Sequence, residues 1–240
     1  MSKIAGVPIF SRAFIKWVFV FLKSVKSRYR KFDSLLDLTY FHFKTWSNLE
    51  HQMYKNFSLI QSRISVKPTI VETGTSAWGC DSSRLFDKLA HYLNGNFYSV
   101  DIRKEASEWL NWQTYKSSQF YVDDSLHFLR FKLSELAIEK IDLLYLDSFD
   151  LDLVNPFPSM KHTLEEFIIA EQYFKSGTFI MIDDSPINLN YYKKDSQLAQ
   201  IFFDNHGLVP GKGSLVLEYI KKSSSYNVIE HNSQIVLEFK

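Results

Sequence analysis

From Thr69 onward, short apolar runs alternate with segments whose apolar residues return every three or four positions. TIVET (69–73), NFYSVDI (96–102), SQFYV (118–122), IDLLYLD (141–147) and TFIMIDD (178–184) read as strands. IDLLYLD is nearly all apolar, as in a strand buried on both faces. Between them DSSRLFDKLAHYL (81–93), EASEWLNWQT (105–114), DSLHFLRFKLSELA (124–137) and HTLEEFIIAEQYF (162–174) carry helical spacing, with Leu85, Leu89 and Tyr92 on one face of the first. Gly177 stops the last of these helices before the fifth strand. GSLVLEYI (213–220) and SQIVLEF (233–239) read as two more strands, separated only by the turn-rich KKSSSYNVIEHN. This alternation predicts an α/β domain, a mostly parallel seven-stranded sheet with helices on both faces. The closing pair, having no helix between, predicts an antiparallel hairpin at the sheet edge.

Residues 1–66 have another character and predict a helical extension to a domain spanning 67–240. No acid precedes Asp33, whereas Lys3, Arg12, Lys16, Lys23, Lys26, Arg28, Arg30 and Lys31 do. On a helix over about 9–31, Arg12, Lys16, Lys23 and Lys26 share one face, and Phe10, Phe14, Trp17, Val18, Phe21 and Val25 the other. A basic helix with aromatic anchors is the pattern of peripheral contact with an anionic inner membrane surface. The same aromatic face also suits packing on the domain, or on a second copy in a homo-oligomer. Residues 33–66 continue as aromatic-rich helix into Pro68, with side chains suited to core packing or to stacking on sugar rings.

A net charge of +1 argues against a broadly basic, nucleic-acid-binding surface, so no nucleic-acid partner is expected. The single cysteine, Cys80, leaves no internal disulfide or cysteine-based zinc cluster and fits a reducing, cytoplasmic setting. No secretory signal is read, and the apolar run Trp17 to Leu22 is far below the roughly 20 residues of a spanning helix.

Acids stand where the strands end: Glu72, Asp101, Asp123 with Asp124, Asp147, and Asp183 with Asp184. Ligands of open α/β sheets bind at these carboxyl ends. Carboxylates there are costly to desolvate and need hydrogen-bonded or metal partners. Asp124-Ser125 and Asp81-Ser82 also suit helix caps, while Asp142 and Asp152 read as solvent or turn residues.

ETGTSAWG at the first strand–helix turn, SVDI ending in Asp101, DDS with Asp124 and Ser125, and the terminal strand pair together resemble the class I S-adenosylmethionine-dependent methyltransferases. The resemblance runs from about Thr69 to Lys240 and implies a Rossmann-like sheet. It implies ribose hydroxyls on Asp101, adenine beside Asp124 and Ser125, and the methionine end of the cofactor at Glu72, Gly74, Thr75 and Ser76. TGTSAWG lacks G-x-G-x-x-G, which a cofactor without pyrophosphate does not require. Trp78 either covers the cofactor or packs under the loop.

Asp147, Asp183 and Asp184 would repel one another unless a cation neutralised them, and oxygen-only ligands suit Mg²⁺ or another hard divalent ion. Their placement resembles the divalent-metal-dependent O-methyltransferases, of catechol type and of macrocin type acting on sugar hydroxyls; the Asp-Asp pair leans toward the sugar type. That resemblance implies a small-molecule or glycan acceptor, a sugar or small polyol, held by the metal through two neighbouring oxygens. A base then takes the hydroxyl proton as oxygen attacks the methyl group. The catechol type has a lysine three residues after its first metal ligand; here that position is Asp150, so Asp150 and His162 are the candidate bases. His162 equally suits a structural role in its helix. Gly211-Lys212-Gly213 lacks phosphate-loop spacing and is expected to shape a loop near the site. Two other readings keep the fold: a different glycan-tailoring reaction such as hydroxylation, and a catalytically silent scaffold that binds membranes or partners.

Overall fold

The computed structural model describes Leu22 and residues 30–75, 81–111 and 113–240. Of the expected basic helix only Leu22, Arg30 and Lys31 fall within the described residues, and Ser76, Trp78 and Cys80 lie outside them.

Five parallel strands form where the apolar runs predict them: β1 Thr69–Thr73, β2 Asn96–Asp101, β3 Ser118–Val122, β4 Leu143–Leu146 and β5 Phe179–Ile182. With β6 Tyr226–His231 and β7 Ile235–Phe239 they make one sheet in the order β3-β2-β1-β4-β5-β7-β6. β7 runs antiparallel to both β5 and β6. Every residue of β4 and β5 is buried, because both faces of the sheet centre are covered.

Strand alternation divides the core in two. Leu143, Tyr145, Phe179 and Met181 point into one cluster, and Leu144, Leu146, Ile180 and Ile182 into the other. The first is closed by α1 (Leu35–Trp46), α2 (Gln52–Ile60) and α3 (Ser82–Tyr92), through Leu38, Phe43, Phe57 and Phe86. Ser34 caps α1, its hydroxyl accepting from the Asp37 N–H at 3.1 Å. Full burial of rings such as Phe43 and Phe57 stabilises by about 2 kcal/mol each. α1 and α2 therefore complete the core of the sheet, and most of the aromatic residues there pack rather than face solvent.

On the second face lies α5, made of Ser125–His127, a π-helical turn Phe128–Lys132 and Leu133–Glu135. It shares that face with α6 (Phe157–Ala170) and α8 (Ser214–Ile220). α4 (Lys104–Asn111) links β2 to β3, and α7 (Ser196–His206) follows β5.

The hairpin is present, but its first strand is not the expected one. GSLVLEYI forms α8, and β6 comes from the stretch read as turn-rich. Val216 and Ile220 are buried one helical turn apart, a spacing a short apolar run shares with a strand. β6 is an edge strand in which only Tyr226 is buried, with a bulge between Val228 and Glu230, so it shows little apolar signal.

Two acids also differ from expectation. Asp142 is buried and accepts from Ser65 Oγ at 2.6 Å and the Thr69 N–H at 2.8 Å, tying the start of β1 to β4. Asp81 adopts a left-handed backbone (φ 55°) and pairs with Arg84 instead of capping α3. Asp124 does cap α5, accepting from the N–H groups of Leu126 and His127.

Candidate cofactor and acceptor site

The strand order reverses between β1 and β4, the point where helices leave the sheet on opposite sides and open a crevice at the carboxyl ends. Gly74 sits at this point with φ 83°, its N–H donating to the Val100 carbonyl at 2.9 Å. A Cβ there would run into the Asp147 carbonyl and the Ser148 Cα. Gly74→Ala is therefore expected to destabilise the protein by about 3 kcal/mol, measured by urea unfolding, because backbone on both sides cannot retreat.

Below this turn Glu72 is fully buried. Ser82 and Ser83 donate to its two oxygens at 2.5 Å each, and Ser99 donates at 2.7 Å. The Thr75 hydroxyl lies 2.7 Å from that of Ser99. Burial pushes the Glu72 carboxyl up to about 7 in spite of these three donors. Glu72 is thus the hub that joins β1, β2 and α3 beneath the loop, and Thr75 is the end of the chain of hydroxyls nearest that loop.

At the end of β2, Asp101 is 4 % exposed in its side chain and paired with Arg103. Ile102 beside it is 75 % exposed, an aliphatic surface left open at a strand end. Ser125 Oγ lies 2.9 Å from His162 Nε2, which is also 3.4 Å from Glu166 Oε1. Because one ring nitrogen meets both groups, this is not a nucleophilic serine relay, which uses opposite nitrogens. Ser148 donates to the same Glu166 oxygen at 2.7 Å, and the other, Oε2, is buried without a partner among the described residues. Burial works to lower the His162 pKa, but Glu166 outweighs it and holds the imidazole above its ordinary value. Glu166 is a buried acid that the sequence reading did not single out; its place among apolar residues on α6 was the available signal.

Asp147, Asp183 and Asp184 converge, with one oxygen from each lying within 4.8 Å of the others. Consecutive residues of an extended strand face opposite sides. The left-handed backbone of Asp184 (φ 43°) breaks that alternation and turns both aspartates inward. A cation is already present: Lys212 Nζ donates to Asp147 Oδ1 at 2.6 Å and lies 3.2 Å from Asp184 Oδ2. Its side chain is 1 % exposed. Gln234 donates to Asp183 Oδ1 at 2.7 Å. Burial and the Asp183 charge push the Asp147 carboxyl well above the carboxylate range, with Lys212 opposing them. Burial opposes the Lys212 charge too, yet Asp147 and Asp184 win and raise its pKa.

The glycine-lysine-glycine turn holds that lysine in place. Its Lys212 N–H donates to the Asp184 carbonyl at 2.9 Å and its Gly213 N–H to Ser185 Oγ at 2.8 Å. Gly211 approaches the same Asp184 carbonyl so closely that a Cβ would crowd it. Sequence reasoning expected only a loop-shaping turn here; the signal was a lone lysine between glycines. Asp150 stands outside the acidic cluster on the exposed β4–α6 loop.

The strand order, the terminal hairpin and a crevice at the β1/β4 switch define the class I S-adenosylmethionine-dependent methyltransferase fold. Among solved structures, the chain is similar to the MycE methyltransferase from the mycinamycin biosynthetic pathway, in complex with Mg and SAH. That match has a TM-score of 0.60 at 14% identity, over 100% of this chain and 67% of that chain, so this chain spans about two thirds of MycE. It is also similar to CalS11, a TDP-rhamnose 3'-O-methyltransferase of calicheamicin biosynthesis, with a TM-score of 0.55 at 12% identity over 99% of both chains. No family model matches the chain, and no curated protein matches its sequence.

The residues present fit a divalent ion. Three carboxylates outnumber the one ammonium, and each keeps one oxygen that no donor among the described residues occupies. They fit the cofactor as well, since Asp101 offers a buried carboxylate at the crevice and Ile102 an open apolar surface.

Proposed function

We propose that the chain is an S-adenosylmethionine-dependent O-methyltransferase, dependent on Mg²⁺, that methylates a hydroxyl of a sugar, glycan or small polyol. The observation that carries this reading is the convergence of Asp147, Asp183 and Asp184 beside the β1/β4 crevice. The Mg²⁺ and SAH bound to MycE and the sugar nucleotide named for CalS11 support it by likeness of fold.

S-adenosylmethionine supplies an electrophilic methyl group on a sulfonium. Asp147, Asp183 and Asp184 would hold the divalent ion, which when bound would supply Lewis acidity toward an acceptor hydroxyl. Asp101 would accept from the ribose hydroxyls, with Ile102, Asp124 and Ser125 lining the adenine site. Gly74, Thr75 and Ser76 carry the methionine end, with Glu72 acting through its serines. Of the two candidate bases, His162 has its Nε2 engaged by Ser125 and Glu166 and keeps its proton to higher pH. Asp150 is exposed and has an open approach, so we assign it the acceptor proton. Among the described residues no helix is long and apolar enough to cross a membrane; peripheral contact through the basic segment remains part of the proposal.

Calorimetry with SAH, then methyl transfer to a panel of sugar nucleotides and polyols with and without chelator, tests the reading. SAH binding, turnover lost in chelator and loss of Mg²⁺-dependent turnover in Asp183→Ala are expected. Turnover that survives chelator removes the metal from the mechanism, and no SAH binding at millimolar concentration removes the cofactor.

A further inference from the structure

Asp101 already has an occupant, and it comes from the chain itself. Arg103 Nε lies 2.9 and 3.1 Å from the two Asp101 oxygens, its Nη2 lies 2.6 Å from Oδ2, and its backbone N–H donates to Oδ1 at 2.7 Å. Nη2 also donates to the Thr75 carbonyl at 3.2 Å. The side chain therefore lies across the gap between the ends of β2 and β1, where a nucleoside bound to Asp101 has to lie. Asp101 is buried, whereas the Arg103 side chain is 55 % exposed and open to water on its outer side.

Two adjacent ribose hydroxyls present a carboxylate with two parallel donors, which is what a guanidinium fork also presents. One carboxylate edge cannot serve both. We propose that Arg103 is a resident competitor for the cofactor, occupying the ribose carboxylate in the free protein and exchanging with the ribose hydroxyls on binding. The inference rests on the reading of Asp101 as the ribose residue. Cofactor arrival thus frees the Arg103 side chain into the solvent it already faces and releases the Thr75 carbonyl.

The test is calorimetric titration of SAH into the full chain and into Arg103→Ala and Arg103→Lys, with thermal melting to confirm that the variants fold. SAH carries no net charge, so its own binding has little salt dependence. Removing the competitor is expected to tighten SAH about tenfold in Arg103→Ala, the scale of one charge-assisted pair, and less in Arg103→Lys, which keeps charge without the fork. Added salt screens an exposed ion pair, so SAH affinity should rise with salt in the wild type and stay flat in Arg103→Ala. Equal or weaker SAH binding by a folded Arg103→Ala overturns the proposal alone. Failure of SAH to bind the wild type and every variant overturns the cofactor reading, and this inference with it.

Discussion

Lys212→Met is expected to lower the unfolding free energy by about 3 kcal/mol in chelator, and added Mg²⁺ is expected to restore more stability to the variant than to the wild type. Lys212 Nζ is the positive charge placed directly against Asp147 and Asp184, and its stem is sealed by the glycine turn. Methionine fills similar volume but leaves three carboxylates facing one another. Removing one partner of a buried pair costs about 3 to 5 kcal/mol when the remaining charge has no relief. Here the lower end applies, because Asp184 is 43 % exposed and keeps water, and because carboxyls can take up protons. A divalent ion then replaces a missing charge in the variant, whereas in the wild type it adds to a cluster already partly neutralised. Urea unfolding of both proteins in chelator and in Mg²⁺ gives the four numbers needed. Equal stability of the two in chelator would show that Lys212 is not the counter-ion of the cluster.

That lysine marks the limit of what the sequence made legible. The parallel strands could be read because β4 and β5 are buried on both faces and so carry uninterrupted apolar runs. The acids at strand ends could be read because the same runs stop abruptly at Asp101, Asp147 and Asp183. The helix Ser214–Ile220 could not, since five apolar residues in seven satisfy either period and only the packing of Val216 and Ile220 against the second core decides. β6 was hidden for the opposite reason, an edge strand having one solvated face and little to bury. The contacts of Lys212 and Gln234 were invisible because each pairs across the fold: Lys212 lies 65 positions from Asp147, and Gln234 51 from Asp183. Carboxylates at strand ends imply a cation from the sequence alone; that the chain supplies one through Lys212 becomes visible only once the fold brings the two together.

Glu72 yields the second large effect, a stability that falls as the pH rises. Its folded-state pKa is pushed by burial from 4.5 to about 7, so the folded state holds a proton that the unfolded chain has released. A carboxyl raised in this way favours folding fully below pH 4.5, and the contribution is lost as the pH climbs through about 7. The shift corresponds to about 3 kcal/mol across that window. Asp87, pushed by burial to about 6, slopes the same way, so the wild-type curve alone does not isolate Glu72. The difference between wild type and Glu72→Gln does, because the amide keeps the size and the hydrogen-bonding capacity to Ser82, Ser83 and Ser99 but has no proton to lose. That difference should favour the wild type most near pH 5 and shrink, or change sign, by pH 8; a difference independent of pH would rule out titration of Glu72 in this range. The cofactor reading adds a direction. An ammonium brought near this end of the crevice stabilises ionised Glu72 through the serine hydroxyls, so SAH binding at pH 6.5 should release a fraction of a proton. Titration in buffers of different ionisation enthalpy measures that fraction, which should vanish in Glu72→Gln. A buried acid held near neutrality is then the link between the packing of β1 against α3 and the affinity of the site above it.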